Sequence, residues 1–337
     1  MINIALFGAG RIGYVHALAV SRVEGIRITS VSDVSAESAN RIAGEFDAKV
    51  RTIDEALADK DIHAVIIATP TDSHAELIEK SARAGKAIFC EKPLALNRER
   101  AEACVKVIEE TGVLCAMGFQ RRYDPHFAKL KAQLDAGKIG KVEMVSLTSR
   151  DPGAPPVSYI KTSGGLFLDM TIHDFDMARW LLGEEPTKVS AHGANLVDPA
   201  IGAAGDIDSA YVTLQTPSGK MCVISNCRRA SYGYDQRIEV LGEKGMLQAN
   251  NQTETNVVFS GSESVAAEVP LNFFLERYAE AYRLELEDFA KCLREGGKPR
   301  ATHHDGMMAL LLGEAAWRSY RSGKTETVET LAQAKAA

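Results

Sequence analysis

The chain is poor in the features that mark membrane, secreted and nucleic-acid-binding proteins. Among its 337 residues no apolar run approaches the roughly 18 that a membrane-spanning helix needs. Its start, MINIALFGAG, passes straight into a strand-like run with no basic segment ahead of it, so no secretory signal is expected. Cysteine is scarce and scattered: Cys90, Cys104, Cys115, Cys222, Cys227 and Cys292 form no CxxC pair and no paired framework. Reduced thiols in a cytoplasmic protein are the simplest reading. There is no excess of positive charge, and a net charge of −6 argues against a nucleic-acid-binding surface. Nothing repeats internally, and only the Ala-rich tail after Thr327 reads as disordered.

What is present is a globular composition, 45% apolar and 25% charged, over a length that suggests two domains. Strand-like Asn3–Phe7 ends in Gly8-Ala9-Gly10-Arg11-Ile12-Gly13, and a helical pattern then runs to Val20. The next apolar run, Ile26–Ser32, closes at Asp33, about 20 residues beyond Gly13. This is the dinucleotide-binding fingerprint in its strand, turn, helix and strand context. Gly8 permits the tight turn, Gly10 lets a pyrophosphate approach the backbone, and Gly13 lets helix and strand pack closely. Arg11 and Ile12 open a helix whose first amides and positive dipole end suit phosphate. Asp33 accepts ribose hydroxyls and repels a 2′-phosphate, and Val34, Ser35 and Ala36 offer no arginine to welcome one. NAD is therefore favoured over NADP, with Arg41 the only nearby reservation. The plainer alternative is a tight turn followed by a solvated aspartate.

The alternation continues through helical Ser35–Phe46, the short helical piece Ile53–Ala58 and strand Ala64–Ala68. A helix capped by Asp72 or Ser73 runs to Ala84, and strand Ala87–Cys90, helix Asn97–Glu110 and strand Leu114–Met117 follow. This pattern predicts an α/β Rossmann domain over residues 1–122 with a mostly parallel sheet. Ligands bind beyond the carboxyl ends of such strands, where Thr69, Pro70, Glu91 and Lys92 fall, with His74 near the cofactor edge. A lysine there can donate to a substrate oxygen, or it can simply snorkel at the sheet rim.

From residue 123 the texture changes. Helical Pro125–Ala136 and alternating Lys141–Arg150 precede a rigid loop, Asp151 to Pro156. Strand-like runs without intervening helices then cover Thr187–Asn195, Ser209–Gln215, Met221–Cys227, Gln236–Leu241, Met246–Ala249 and Asn256–Ser260. Residues 123–337 are thus expected to form an α+β domain with an open, largely antiparallel sheet, closed by helices Phe274–Glu295 and His304–Arg321. A sheet covered by helices on one face needs cover on the other, and a partner subunit is expected there.

The stretch Gly164–Trp180, GGLFLDMTIHDFDMARW, is expected to lie across one face of that sheet as a helix. Leu168, Ile172, Phe175, Ala178 and Leu182 recur at helical spacing, while Asp169 and His173 stand at i and i+4, with Asp176 three later on the same stripe. A carboxylate one turn from an imidazole on an apolar helix is costly to bury without a use. Gly164 and Gly165 are expected to bring the backbone close to a pocket. Of the candidate ligand sets, His173, Asp174 and Asp176 have poor geometry because His173 and Asp174 point apart on a helix, and His303, His304 and Asp305 begin a helix, where polar residues serve as caps; no metal is expected. No nucleophile elbow or triad is visible. His16, His63, His126 and His192 read as surface or strand-end histidines. Arg121-Arg122 is either a solvated basic pair or a polyol or phosphate contact at the domain junction.

Taken together, GAGRIG, Asp33, Glu91-Lys92-Pro93 and the Asp169–His173 segment resemble the Gfo/Idh/MocA oxidoreductase family, along nearly the whole chain. GFQRRYDP, SRDPGAPP and GGLFLDMTIHDFDMARW are especially similar to inositol 2-dehydrogenases within it. The resemblance implies NAD-dependent oxidation of a secondary hydroxyl of a cyclic polyol, myo- or scyllo-inositol to the inosose, by a homotetramer joined through its sheet faces. It implies a catalytic set of Lys92, Asp169 and His173, and cofactor contacts at Gly8, Gly10, Arg11, Ile12, Gly13, Asp33, Thr69, Pro70, His74, Glu91 and Lys92. Substrate contacts are implied at Gln120, Arg122, Asp151 and Tyr234. In that scheme His173 takes the hydroxyl proton, since an imidazole titrates near working pH. Lys92 holds the same oxygen, and Asp169 orients His173 or Lys92. Asp176 stays outside the set, steadying His173 or pairing with Arg179. A pyranose dehydrogenase of the same family and a non-catalytic NAD-sensing regulator are the other readings, although a sensor has no need of Lys92 and His173 together.

Overall fold

The computed structural model describes residues 1–328, and the tail expected to be disordered lies outside them beyond Val328. The chain divides into two compact units, Met1–Asp124 with Ala279–Leu310 and Pro125–Tyr278 with the residues from Leu311 onward. Where the sequence reading cuts once, near residue 122, the first unit also takes back a stretch from late in the chain.

The first unit opens as β1 (Ile2–Phe7), α1 (Arg11–Val20), β2 (Ile26–Ser32), α2 (Ala36–Glu45), β3 (Lys49–Val50) and α3 (Ile53–Ala58). It continues as β4 (Ala64–Ile67), α4 (His74–Arg83), β5 (Ala87–Glu91), α5 (Arg98–Thr111) and β6 (Cys115–Gly118). The strands lie in the order β3-β2-β1-β4-β5-β6 and every pair is parallel, as the alternation predicts. The winding reverses between β1 and β4, the place where doubly wound sheets hold ligands. β4, in the middle of the sheet, is buried along its whole length, which is why it reads Ala-Val-Ile-Ile without polar alternation. Polar residues fix where the helices begin: Ser35 accepts the Ser38 amide, Thr52 and Glu55 cap α3 reciprocally, and Asn97 accepts the Arg100 amide.

The second unit begins with α6 (Pro125–Asp135), β7 (Val142–Arg150), the short turns α7 (Val157–Ile160) and α8 (Leu166–Asp169), and the longer α9 (Thr171–Leu182). There follow β8 (Lys188–Ala194), α10 (Pro199–Ala203), β9 (Ser209–Gln215), β10 (Met221–Cys227), β11 (Asp235–Gly242) and β12 (Gly245–Ala249). β13 (Val258–Ser260) and β14 (Val265–Ala267) pair only as a separate hairpin, so the expected strand Asn256–Ser260 stands outside the main sheet. After α11 (Phe274–Arg277), α12 (Ala279–Glu295) belongs to the first unit. The last helix, α13 (His303–Ser322), begins in the first unit and ends in the second, before β15 (Glu326–Thr327).

The main sheet of the second unit runs β12-β11-β7-β10-β9-β8-β15. It is mixed: β7 and β10 pair in parallel, and the other neighbours are antiparallel. The expectation of a largely antiparallel sheet overlooks that central pair. Its cause is the long crossover from β7 through α9, β8 and β9, which returns the chain in the same direction. α9 packs on β7 and β10, and the strands alternate accordingly. Leu147, Val212, Ile224 and Val240 are buried, whereas Met144, Tyr211, Met221 and Val223 are exposed. No helix among the described residues is long and apolar enough to cross a membrane.

Candidate active site

In the first unit the turn between β1 and α1 is built by main chain. Gly8 has a φ of +98°, and a Cβ on it would strike the Ala68 carbonyl; a Cβ on Gly13 would strike the carbonyl oxygen of Gly8. A Cβ on Gly10 meets nothing within 4 Å. Two glycines therefore close the turn, and the middle one faces open space that a pyrophosphate can fill. Gly10 also caps α1 without a side chain, which leaves the first-turn amides, including those of Arg11 and Ile12, as donors for an anion. Beyond β2 the Asp33 carboxylate accepts the Ala9 amide at 2.5 Å and the Ser35 amide at 2.7 Å. Each oxygen keeps a lone pair for a ribose hydroxyl. The guanidinium of Arg41 lies over the Tyr14 ring, 5.6 Å from its centre.

Thr69 and Pro70 follow β4, and Lys92 follows β5, joined to Pro93 by a cis peptide. The Ser73 hydroxyl lies 2.6 Å from that of Thr69 and donates to the Pro70 carbonyl, folding this loop instead of capping α4. Two neighbours turn inward. His74 is buried with Nδ1 2.8 Å from the Pro93 carbonyl oxygen and Nε2 2.9 Å from that of Thr69, so its ring clasps the two strand-end loops. Burial lowers its pKa, while both carbonyls favour the charged ring. Glu91 points back to His16, Oε1 to Nε2 at 2.7 Å. His16, a surface histidine by sequence, is fully buried. Both side chains are engaged on protein groups and shape the strand ends from within.

Gln120 and Arg122 lie in the 3-10 turn Gln120–Tyr123, and both are buried. Arg122 Nη2 donates to Asp305 Oδ1 at 2.8 Å, and Nη1 donates to the Arg300 carbonyl. Arg122 is thus a buried tie to the start of α13, not a solvated charge. Asp305 also accepts the amide and hydroxyl of Thr302, the capping role expected at this helix start.

Asp169 and His173 belong to the second unit but do not share one continuous helix. α8 closes at Asp169, the chain turns at Met170, and α9 starts at Thr171. The His173 amide approaches the Met170 carbonyl at 3.3 Å, an i to i−3 contact that tightens the junction. The apolar stripe holds across the break: Leu168, Ile172, Phe175, Ala178 and Leu182 are at most 5% exposed. Asp169 and His173 stay partly exposed. Gly165, at a φ of +78°, is required by close packing, since a Cβ there would lie 2.7 Å from Asp206 Oδ1 and from the Trp317 ring. A Cβ on Gly164 would press on Leu168. Both glycines thus serve close packing within the unit.

Side chains remote in sequence set Asp169. The Tyr159 hydroxyl donates to Oδ1 at 2.8 Å and Arg228 Nη1 donates to Oδ2 at 3.2 Å. Arg228 is 1% exposed and lies 3.6 Å from Asp206, which accepts the Leu166 amide at 2.9 Å. Burial raises the Asp206 pKa, against that amide and Arg228. Sequence reasoning missed Arg228 and Asp206, for which no motif or spacing gives a signal. Asp174 turns into the sheet and accepts Ser149 Oγ at 2.6 Å and Asn226 Nδ2 at 2.8 Å. Asp176 pairs with Arg179 at 3.8 Å. Asp151 follows β7, its amide donating to the Cys227 carbonyl at 3.0 Å. Tyr234 is buried edge-on against Tyr278 and Phe273, with centroids 5.9 and 6.1 Å away. Among the described residues, potential ligand atoms gather in two groups, Glu109 with His303 and His304, and His16 with Glu91 and Glu285. Neither is a set weighed from the sequence.

Two family models match the chain, one over each of its halves. The model of an oxidoreductase family NAD-binding Rossmann fold matches residues 2–119, and that of the same family's C-terminal alpha/beta domain matches residues 131–330. An inositol 2-dehydrogenase of Rhizobium meliloti is 54% identical over 318 residues, 94% of this chain and 96% of its own length. A myo-inositol 2-dehydrogenase of Thermotoga maritima is 42% identical, over 97% of this chain and 99% of its own. A Lactobacillus casei scyllo-inositol dehydrogenase, crystallised with bound NAD(H) and scyllo-inositol, superposes with a TM-score of 0.90 at 30% identity, covering 97% of this chain and 99% of that one. With both halves of the family pattern matched in order, the chain belongs to the Gfo/Idh/MocA family of NAD-binding oxidoreductases.

Proposed function

We propose that the protein is an NAD-dependent inositol 2-dehydrogenase, oxidising one secondary hydroxyl of myo- or scyllo-inositol to the inosose. One observation carries this reading: 54% identity to an inositol 2-dehydrogenase, sustained over 94% of the chain. NAD binding falls to the first unit, and substrate binding and oligomerisation fall to the second. NAD would be held by the main chain of Gly8–Gly13, by the first amides of α1 and, at its adenosine ribose, by Asp33, with Thr69 and Pro70 at the neighbouring strand end. When bound, NAD supplies the hydride acceptor.

The residues of the chain do the rest. His173 takes the proton of the hydroxyl as its carbon is oxidised, a task suited to an imidazole. Lys92 donates to the same oxygen and stabilises its alkoxide character. Asp169, steadied by Tyr159 and Arg228, accepts from a neighbouring hydroxyl and fixes the ring's orientation. Asp151, Gln120 and Tyr234 are the remaining candidate contacts, and Arg122 acts behind them by fixing the turn that carries Gln120.

A homotetramer joined through the outer sheet face is part of the proposal. That face exposes Met144, Tyr211, Met221, Val223 and Met246, and holds a depression of about 390 Å³ lined in part by Ser190 and Thr213, away from the Asp169–His173 segment. Apolar area of this kind is usually covered in solution. A cytoplasmic location suits six unpaired cysteines. The test is NAD reduction, followed at the reduced-nicotinamide band, with myo-inositol, scyllo-inositol and D-glucose, each repeated with NADP. Turnover with an inositol and NAD is expected; NAD binding without turnover on any of them would point to a sensor.

A further inference from the structure

The first unit encloses a cluster for which the proposed chemistry has no use. His16 on α1, Glu91 at the end of β5 and Glu285 on α12 bring His Nε2 and carboxylate oxygens within 4.8 Å of one another, and all three are buried. His16 and Glu91 stand at hydrogen-bond distance, 2.7 Å. Neither oxygen of Glu285 has a hydrogen-bond partner in the protein, and the residue is 1% exposed. An ionised carboxylate so placed, next to a second one, is among the most unfavourable arrangements a core can hold. Burial and the Glu91 carboxylate both raise the Glu285 pKa well above its ordinary value.

The surroundings leave the acid little relief. The Tyr282 ring stands edge-on to His16, 5.7 Å between centroids, and Tyr123, whose pKa Glu285 helps to raise, donates to Asp288 at 2.9 Å. The Glu91 carboxylate also acts on His74, favouring its charged form, and on the Cys90 thiol, raising its pKa. From β6, Gly118 leaves just enough room for the Glu91 carboxyl, since a Cβ there would lie 3.1 Å from it. A metal ion is the obvious rival occupant. However, two donors on one tetrahedral zinc stand roughly 3.3 Å apart at ordinary bond lengths, and 2.7 Å between Nε2 and Oε1 is a hydrogen bond.

We propose that Glu285 sits in the folded protein as a neutral acid and that, with His16, it positions Glu91 and so the strand end bearing Lys92. Glu285 and His16 are positioning residues. A second negative charge would push Glu91 away from His16 and shift the residue that follows it. The part concerning Lys92 rests on the reaction proposed above, whereas the protonation of Glu285 does not.

With its pKa raised in the folded state, Glu285 keeps a proton that the unfolded chain releases above the ordinary value of 4.5. Stability is therefore lost as pH rises from there toward the raised value. Glu285→Gln copies the neutral acid without the titration. In the full chain its Tm is expected to exceed wild type by roughly 2–4 °C at pH 7.5, and the gap should close as pH falls toward 5. Its kcat on inositol should stay within about twofold of wild type. His16→Leu, which removes the hydrogen bond to Glu91, should lower kcat about tenfold or more with little change in the KM for NAD, and His16→Gln, which restores a donor, should recover most of it. A Tm gap that is absent or independent of pH overturns the neutral acid. About one equivalent of divalent metal in purified wild type, lost in Glu285→Gln, overturns the proposal in favour of a metal site. A pH-dependent gap in a protein inert toward inositols would sink the link to Lys92 and the proposed reaction while leaving the protonation standing.

Discussion

The two units hold their candidate groups by opposite means. In the first, main chain does most of the holding: glycines shape the turn, helix amides face outward, and the Ala9 and Ser35 amides orient Asp33. In the second, side chains hold side chains: Tyr159 and Arg228 fix Asp169, and Asp206 faces Arg228 in turn. A main-chain site tolerates most exchanges nearby but no added atom where backbone touches backbone. A buried side-chain network tolerates reshaping but not the loss of one charge, because its partner is left buried and unpaired. The two units should therefore fail in different ways, the first at an added atom and the second at a removed charge.

Substitutions in each unit can break or sharpen this contrast. The largest effect is expected from Gly13→Val, whose side chain must displace the Gly8 carbonyl; NAD binding by calorimetry should be lost, with the fold of the first unit disturbed. Gly10→Ala is the control, since its Cβ meets nothing in the protein: Tm should change by no more than about 1 °C while NAD binding weakens. Next comes His173→Ala, expected to lower kcat by about 10²–10⁴-fold with NAD affinity intact. Arg228→Met should destabilise the protein by about 3–5 kcal/mol in urea unfolding and cut turnover, whereas Tyr159→Phe should cost only about 1 kcal/mol. Equal effects from these two would mean that Asp169 is not held as described.

Two smaller effects test the first unit. Asp33→Ser should shift preference toward NADP by about tenfold or more in kcat/KM. An unchanged ratio would contradict the role given to the acid. His74 offers a pH test. With its pKa lowered by burial, the unfolded chain takes up a proton before the folded protein does, so stability is lost as pH falls through 6.5. His74→Asn should flatten that fall between about pH 8 and 5.5. A wild type that gains stability relative to His74→Asn as pH falls over this range would mean that the two carbonyls win and the ring is charged.

The same contrast explains what was legible in the sequence. The glycine turn, Asp33, the alternation that makes the first sheet parallel and Lys92 at a strand end all follow from local spacing, because each depends on residues close in the chain. The apolar stripe from Leu168 to Leu182 was equally plain, although the break at Met170 was not, since nothing in a helical repeat marks a one-residue turn. Arg228 and Asp206 reach Asp169 from other strands and loops, so spacing could not find them. His16 was passed over as a surface residue because its partners, Glu91 and Glu285, come from β5 and from the returning α12. The parallel pairing of β7 with β10 depends on where a long crossover re-enters the sheet, and a run of strand-like segments does not encode that order.

The central claim is that NAD chemistry in the first unit serves an inositol hydroxyl deprotonated by His173 in the second. Initial rates of NAD reduction with myo- and scyllo-inositol, measured side by side for wild type and His173→Ala at equal NAD saturation, test it most directly. The account predicts inositol-dependent reduction by wild type and a loss of at least about 10²-fold in kcat for the variant. Saturable NAD binding without inositol-dependent reduction, or a variant that turns over as fast as wild type, would contradict it.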